Sequence, residues 1–311
     1  MAQSADDLGS AATKAERARK RAGDFESNAY FPSEWEAAEG QYTRAILMSN
    51  IGNAIGVYNE AADAFDRLFE LSIPLYAQAR EDEIMALRGY LIALGARDSF
   101  HEYLLDADIT ALLAYTLYEA KEYYPARDSA VLALQKFSVL ETAFNAWLVR
   151  VEIQERGFAG YDSENFDLGG EILNGAMDAY IAGDFAGAQK KAETALSTFN
   201  LALSTAWASY AELRSSLAEG ERLAALDMRT DIAAKEFFNM ADSDNKTALD
   251  LLESKKYEDA AKLFINAEAM FVIASITTLE KRRNAAAAIR NANEKIQESD
   301  EIARNAGKPI N

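Results

Sequence analysis

The chain contains no cysteine and only one histidine among its 311 residues. The absence of cysteine excludes disulfides, thiol nucleophiles and cysteine-ligated metals. The lone His101 leaves zinc poorly provided with ligands, and any Ser-His-Asp triad would have to use it. We therefore expect a non-enzyme with no metal, no cofactor and no catalytic residue. His101 is interpreted as a surface or capping residue, with a general base as the alternative.

Proline and glycine are also scarce, with 4 and 16 residues, and the sequence is visibly rich in alanine. Alanine is the strongest helix former, and so few interruptions favour long helices. A β-sandwich or barrel of this length would need many more turn residues and β-branched strands. The composition therefore predicts an all-α fold.

Long apolar runs are missing as well, since no stretch reaches the 18 or so residues that a membrane-spanning helix needs. The nearest stretches, 45–58 and 264–279, are interrupted by polar residues. The sequence thus predicts no transmembrane segment. The net charge of −18 disfavours nucleic acids and anionic membrane surfaces as partners.

The compartment is indicated by weaker signals. Residues 1–10 carry no apolar signal-peptide core, although a leader or lipid anchor removed from a mature chain is compatible with the sequence. The lack of cysteine is typical of exported bacterial proteins. We predict the periplasm or cell envelope, with the cytoplasm as the alternative.

Charged and alanine-rich residues dominate the first 28 positions, which we assign to a partly flexible helical lead-in. Its basic run, Lys14–Arg21, is interpreted as a solvated helix face, with lipid head groups as the alternative. The last residues, 307–311, are assigned to a tail.

A helix start follows the lead-in. Pro32 ends the preceding segment, and Ser33 and Glu36 have the spacing of a capping box. We predict a helix over 35–48, with the glycines just beyond it marking its end.

Three later segments share a pattern of alanines and aromatics. Each has an aromatic after a short polar break, alanines three and ten residues after it and nine before it, and a phenylalanine four residues after the last alanine. The columns are Tyr123, Phe185 and Tyr257; Ala126, Ala188 and Ala260; Ala133, Ala195 and Ala267; Ala114, Ala176 and Ala248; Phe137, Phe199 and Phe271. A weaker copy is centred on Tyr58 and Ala61, with Leu68 in the third alanine column, giving periods of 65, 62 and 72 residues.

Small residues recur at fixed offsets where two helices cross closely, so the pattern predicts equivalent helix pairs. No glycine or proline interrupts 126–155 or 257–306. The second helix of each pair should therefore run on for 30 to 40 residues, or roughly 45–60 Å. This length accounts for the long period.

These columns resemble the tetratricopeptide repeat, which has small residues at the same spacing and a Gly-Asp-Tyr-like turn. The segment with Gly183-Asp184-Phe185 is most similar, whereas the proline that normally ends the second helix is absent. The resemblance implies a right-handed array of antiparallel helix pairs, an α-solenoid with extended second helices. We expect one helical-repeat domain over 29–306, with repeats at about 33–95, 100–157, 162–226 and 230–306.

The resemblance also implies a binding surface. Residues one and four positions after the first-helix alanine face the concave side of tetratricopeptide arrays and would form a wall for a protein, a peptide or a small apolar ligand. Ordinary helix–helix packing is the alternative, because the long helices could fill this side. The six residues are Tyr115, Tyr118, Met177, Tyr180, Leu249 and Leu252.

Other candidate sites are weaker. Acidic clusters at 162–167 and 242–244 could bind calcium, but acidic side chains also favour helix starts, which is the interpretation we adopt. Gly169-Gly170 is followed by glutamate, so the chain has no phosphate-binding loop.

The sequence favours a non-enzymatic scaffold or adaptor that binds a protein or peptide. Residues 29–38 are similar to helix starts in bacterial envelope lipoproteins, which supports the envelope assignment. Two alternatives stay open. One is a ligand-handling accessory component of a periplasmic solute transport system, and the other is an all-helical hydrolase or lyase.

Overall fold

The computed structural model describes residues 5–306, so the predicted tail at 307–311 and the first four residues of the lead-in lie outside the described residues. Throughout the described part the regular structure is helical, without a strand, which confirms the all-α prediction. The helices are α1 (Ala5–Asp24), α2 (Ser27–Tyr30), α3 (Pro32–Ile46), α4 (Ile51–Ala93), α5 (Ala96–Ser99), α6 (His101–Glu119), α7 (Tyr123–Glu155), α8 (Ser163–Ile181), α9 (Phe185–Asp227), α10 (Thr230–Ala233), α11 (Lys235–Glu253) and α12 (Tyr257–Ala306).

The chain divides into two compact units, whereas the sequence predicted one domain. Unit 1 comprises Met1–Trp147 and Ile172–Thr194, and unit 2 comprises Leu148–Glu171 and Ala195–Asn311. Helices α7, α8 and α9 each contribute residues to both units.

Short and long helices alternate, as the sequence predicted. Helices α6, α8 and α11 each have 19 residues, and the helices that follow them have 33, 43 and 50 residues. At 1.5 Å per residue, α12 is about 75 Å long. The absence of glycine and proline from its sequence explains why nothing ends it earlier.

The predicted alanine columns are buried in all three pairs. In each long helix the two alanines are the third and tenth residues after the first residue, and the phenylalanine is the fourteenth. The nine alanines are Ala114, Ala126, Ala133, Ala176, Ala188, Ala195, Ala248, Ala260 and Ala267, and the three phenylalanines that accompany them are fully buried. In unit 2, for example, Ala267 and Phe271 belong to a core cluster with Phe238 and Ala241 of α11.

The turns between the two helices of these pairs share one backbone geometry. Lys121, Gly183 and Lys255 have positive φ angles of 62°, 78° and 59°. In each turn the next N–H donates to the carbonyl five residues earlier, as in Asp184 to Ala179 at 3.0 Å. This is the Schellman ending, whose left-handed residue is usually glycine.

The first pair, α3 and α4, has buried residues at the same three offsets from the start of its long helix, but not at the residues that the sequence analysis had aligned. The third, tenth and fourteenth residues after the start of α4 are Ala54, Ala61 and Phe65, and all are buried. The sequence-based alignment on Tyr58 and Leu68 is therefore displaced by seven residues. Seven residues are two helical turns, so both alignments lie on one face of α4.

The ends of α3 also differ from the prediction. The helix has 15 residues, begins at Pro32, and its N-cap makes no side-chain hydrogen bond, so the capping box at Ser33 does not form. The glycines expected to end it, Gly52 and Gly56, lie in the first turns of α4. Asn50 starts α4 instead, because its side chain accepts a hydrogen bond from the backbone N–H of Asn53 at 3.0 Å.

The predicted lead-in is part of the core of unit 1. In α1 the alanines at 11, 15, 18 and 22 are buried in a cluster that includes Ala61 and Phe65 of α4. The basic run is solvent exposed, as the sequence predicted, and it also makes surface ion pairs, with Lys14 3.0 Å from Asp63. Four small residues on one helix face allow α1 and α4 to approach closely.

Helix α12 is long and apolar enough to cross a membrane, by length and hydropathy alone, although the sequence analysis expected no such helix. In its most apolar window 33% of the residues are buried. Phe264, Phe271 and Ala274 are among them, and Glu268 pairs with Arg214 of α9. This face of α12 is thus a packing surface of unit 2.

Candidate ligand-binding groove

Unit 1 has an apolar groove of about 500 Å³ between α4, α6 and the start of α7. We call it the α4–α6 groove. Its lining residues are Phe25, Ile73, Pro74, Tyr76, Ala77, Gln78, Arg80, Glu81, Ile84, Met85, Arg88, Asp108, Ala111, Leu112, Ala114, Tyr115, Tyr118, Tyr123, Ala126, Arg127 and Ala130.

The groove exists because small side chains face large ones. Ala114 of α6 and Ala126 and Ala130 of α7 are buried, and they leave a hollow that the side chains of α4 do not fill. Pro74 lies inside α4 and lines the same hollow. Its ring removes a helical N–H, so the helix loses one hydrogen bond at this wall.

An aromatic cluster closes one end of the groove. Phe25, 2% exposed, makes edge contacts with Tyr76 and Tyr124 at centroid distances of 5.3 and 5.4 Å. Tyr118 and Tyr123 pack against this cluster. Burial raises the pKa of Tyr76, so its hydroxyl is a neutral hydrogen-bonding group at physiological pH.

Hydrogen bonds tie this end of the groove to α1. The hydroxyl of Tyr124 donates to Asp24 at 3.1 Å, and Lys20 donates to the same carboxylate at 2.7 Å. Burial opposes ionisation of Asp24, but the two hydrogen bonds outweigh it and lower the pKa of this carboxyl. The aromatic cluster is thereby held in one arrangement.

Three arginines lie on the rim. Arg88 makes a two-pronged pair with Asp108, at 2.7 and 3.1 Å, and this hydrogen bonding raises its pKa. The guanidinium of Arg127 lies 5.0 Å from the ring centroid of Tyr124. The rim thus presents guanidinium groups fixed by carboxylates and aromatic rings.

Arg80 carries an unsatisfied donor. Its guanidinium lies 5.0 Å from the ring centroid of Tyr76, and one terminal nitrogen donates to Glu83 at 2.8 Å. The buried Nε has no hydrogen-bond partner within the described part of the chain. A buried unpaired donor costs about 1–3 kcal/mol, so this atom lowers the stability of the groove wall.

Helix α6 presents apolar residues on its outer side as well. Leu112 is 64% exposed in the groove wall, and Leu105, Ile109 and Leu113 are each at least half exposed. The exposed leucines and the isoleucine form an apolar patch on the surface of α6.

The structure brings two of the six predicted wall residues into this groove. Tyr115 and Tyr118 line it, with Tyr115 57% exposed. Met177 and Tyr180 lie on α8 in unit 1 outside the groove, and Leu249 and Leu252 lie on α11 in unit 2.

Tyr180 has a packing role. It is 4% exposed, its ring packs against Tyr103 and Phe185, and its hydroxyl donates to Asp106 at 2.9 Å. Burial and this hydrogen bond raise its pKa. Lys136, also buried, completes the network with a 2.7 Å ion pair to Asp106.

The residues of α4 were missed by the sequence analysis, which followed only the alanine face of the long helix. Ile84 and Met85 lie near the end of α4, where the pattern had no column. The sequence of α6 contained one sign of an exposed apolar surface, because its leucines and its isoleucine do not lie on a single helical face.

His101 and the acidic residues are the remaining candidates from the sequence. His101 is the first residue of α6 and lines a separate pocket of about 240 Å³ with Arg88 and Arg97. Over residues 5–306, no three or more His, Asp or Glu side chains are grouped as a metal site would require.

The two acidic clusters differ from each other. Asp162 opens α8, as predicted, because it accepts the backbone N–H of Asn165 at 3.3 Å. The prediction for the second cluster is wrong, since Asp242 and Asp244 lie in the middle of α11. Asp242 pairs with Lys246 and Arg222, each at 2.9 Å, and the hydrogen bond from Lys246 is the main cause of its lowered pKa.

Comparison with known proteins adds no relative to this picture. The chain matches no protein-family model, no curated protein sequence and no solved structure. Its function is therefore argued from the groove alone.

Proposed function

We propose that the protein is a non-enzymatic binding scaffold that holds an apolar peptide segment of a partner protein in the α4–α6 groove. The observation that carries the proposal is an apolar groove of about 500 Å³ whose wall residue Leu112 is 64% exposed. A peptide supplies what this surface needs, namely apolar side chains for the floor and backbone carbonyls for the guanidinium groups of the rim.

A helical-repeat scaffold is the architecture that we propose for this function. The shared turn geometry at Lys121, Gly183 and Lys255 and the buried alanine columns support it. Stacked repeats of this kind create the extended concave surfaces on which such arrays bind partners. Location in the periplasm or cell envelope remains a prediction, which fractionation of cells that express the native gene would check.

The proposal is tested by selecting random 12-residue peptides, displayed on phage, for binding to the intact protein. We expect enrichment of peptides with aliphatic and aromatic residues and micromolar affinity. Their affinity should fall at least tenfold with Leu112→Glu, because the substitution places a charge in the apolar wall.

Leu113→Glu is the matched control. Leu113 is on the same helix, is 50% exposed and does not line the groove. The proposal fails if no peptide is enriched, or if both substitutions weaken the selected peptides equally.

A small apolar ligand of a solute transport system is the second candidate. The groove volume favours it, because small-molecule sites typically measure about 300–1,000 Å³. This candidate predicts that 8-anilinonaphthalene-1-sulfonate becomes fluorescent on binding and that Leu112→Glu, but not Leu113→Glu, removes the signal. Peptides selected on phage would then fail to displace the dye, whereas the peptide scaffold predicts that they displace it.

A further inference from the structure

The last part of α12 forms a second surface that is not covered by any residue of the described range 5–306. From Arg283 to Arg304 every residue is solvent exposed, over about 33 Å of helix. The segment is anchored at its start, where Lys281 donates to the carbonyl of Ala233 at 2.7 Å and Arg282 to that of Met228 at 2.6 Å. Most helical stability in proteins comes from tertiary packing of an amphipathic face, so packing would stabilise this segment.

Apolar and small side chains follow one face of this segment. Their spacing alternates between four and three residues, which is the pattern of a two-stranded coiled coil. The positions are Ala285, Ile289, Ala292, Ile296, Ser299 and Ala303. The isoleucines are 63% and 59% exposed, so this face is apolar and open.

Charge is segregated along the same segment. Its first half carries the basic residues Arg283 and Arg290, and its second half carries four acidic residues with two further basic ones. The second-half acids are Glu294, Glu298, Asp300 and Glu301, and the basic residues there are Lys295 and Arg304. With four basic and four acidic residues the segment is neutral, in a chain of net charge −18. Association through it therefore avoids most of the repulsion that the rest of the chain would cause.

We infer that this segment is the interface with a second copy of the chain, in an antiparallel pair centred near residue 294. In that register each isoleucine lies opposite a small residue of the other copy, with Ile289 facing Ser299 and Ile296 facing Ala292. The pair is two-fold symmetric, so both copies use the same surface and the assembly stops at a dimer.

The charges select the antiparallel direction. A parallel pair would place the acidic halves side by side, whereas the antiparallel pair places each acidic half beside a basic one. Arg290 of one copy and Asp300 of the other lie on the same edge, within about 3 Å along the axis.

The expected affinity is modest. A contact strip of about 33 Å by 10 Å is roughly 330 Å² per copy, below the roughly 800 Å² per partner of a stable interface. We therefore expect a dissociation constant on the order of tens of micromolar and a dimer that forms with rising concentration.

Sedimentation velocity of the intact protein, from about 1 to 200 µM, tests the inference. The weight-average mass should rise from 34.2 kDa toward twice that value. Ile289→Glu with Ile296→Glu should keep the protein monomeric, and Ala287→Glu with Asn291→Glu should not. The control pair adds the same charge to the opposite face of the same segment. A monomer throughout, or equal effects of the two pairs, would overturn the interface.

Charge reversal tests the direction of the pair. Arg290→Glu alone and Asp300→Arg alone should each weaken dimerisation several-fold, and the two together should restore it. Failure of the combined variant to recover would rule out the antiparallel register. Far-ultraviolet circular dichroism of every variant checks that α12 stays helical.

Discussion

Replacing Lys121 by glycine should stabilise unit 1. The residue has a φ angle of 62°, which is left-handed, and the equivalent turn between α8 and α9 has Gly183 at 78°. A side chain in this conformation costs about 1–2 kcal/mol. Glycine removes that cost but increases the entropy of the unfolded chain, by about 0.5–1 kcal/mol. The expected net gain in the free energy of unfolding is thus about 0.5–1 kcal/mol.

Urea unfolding followed by circular dichroism measures this gain, and Ala120→Gly is the neighbouring control. Ala120 has a φ angle of −74°, so glycine there brings only the entropic loss and should lower stability by about 0.5–1 kcal/mol. Lys255→Gly in unit 2 should behave like Lys121→Gly, since its φ angle is 59°. If Lys121→Gly and Ala120→Gly changed stability in the same direction, the argument from turn geometry would be refuted.

Three further predictions concern packing and charge. In the same urea assay, Gly169→Ala should lower stability by at least 1 kcal/mol, because its Cβ would lie 2.9 Å from the buried ring of Phe199. The neighbouring Gly170→Ala should instead raise stability by up to about 1 kcal/mol, because its Cβ would meet nothing within 4 Å. Tyr180→Phe keeps the ring but removes its hydrogen bond to a carboxylate, so it should cost about 1–3 kcal/mol. A loss below a few tenths of a kcal/mol would contradict the contribution of this hydrogen bond. Asp242 has a pKa lowered below its unfolded value, so its stabilisation is present at neutral pH and is lost as the pH falls through its folded pKa. Asp242→Asn should therefore have a lower free energy of unfolding than the wild type at neutral pH, and the difference between the two proteins should shrink in acid. A difference in unfolding free energy that did not change with pH would count against this linkage.

The helices were predictable because their determinants are local. The alanine columns, together with the lack of glycine and proline over 126–155 and 257–306, predicted the long helices α7 and α12. Periodicity could not settle the register of α4, however, since Tyr58 and the true starting residue Ile51 are two turns apart on one face. The register of α4 is set by the cap at Asn50 and by the shorter α3, and neither feature belongs to the repeated pattern.

The groove was only partly predictable because it depends on residues distant in the chain. Tyr115 and Tyr118 followed from their position beside Ala114, but the opposite wall comes from Ile84 and Met85 of α4. Whether a hollow remains between such elements depends on side-chain volumes on three helices at once. No local pattern contains that information.

Thiol protection at the groove would test the binding scaffold most directly. Because the chain has no cysteine, Met85→Cys, Leu112→Cys and Leu113→Cys each introduce a single reactive thiol at a site that is at least half exposed. Maleimide labelling rates measured with and without a selected peptide should fall several-fold at residues 85 and 112 and stay unchanged at residue 113. Equal rates at all three sites with the peptide bound would contradict the assignment of the α4–α6 groove as the binding site.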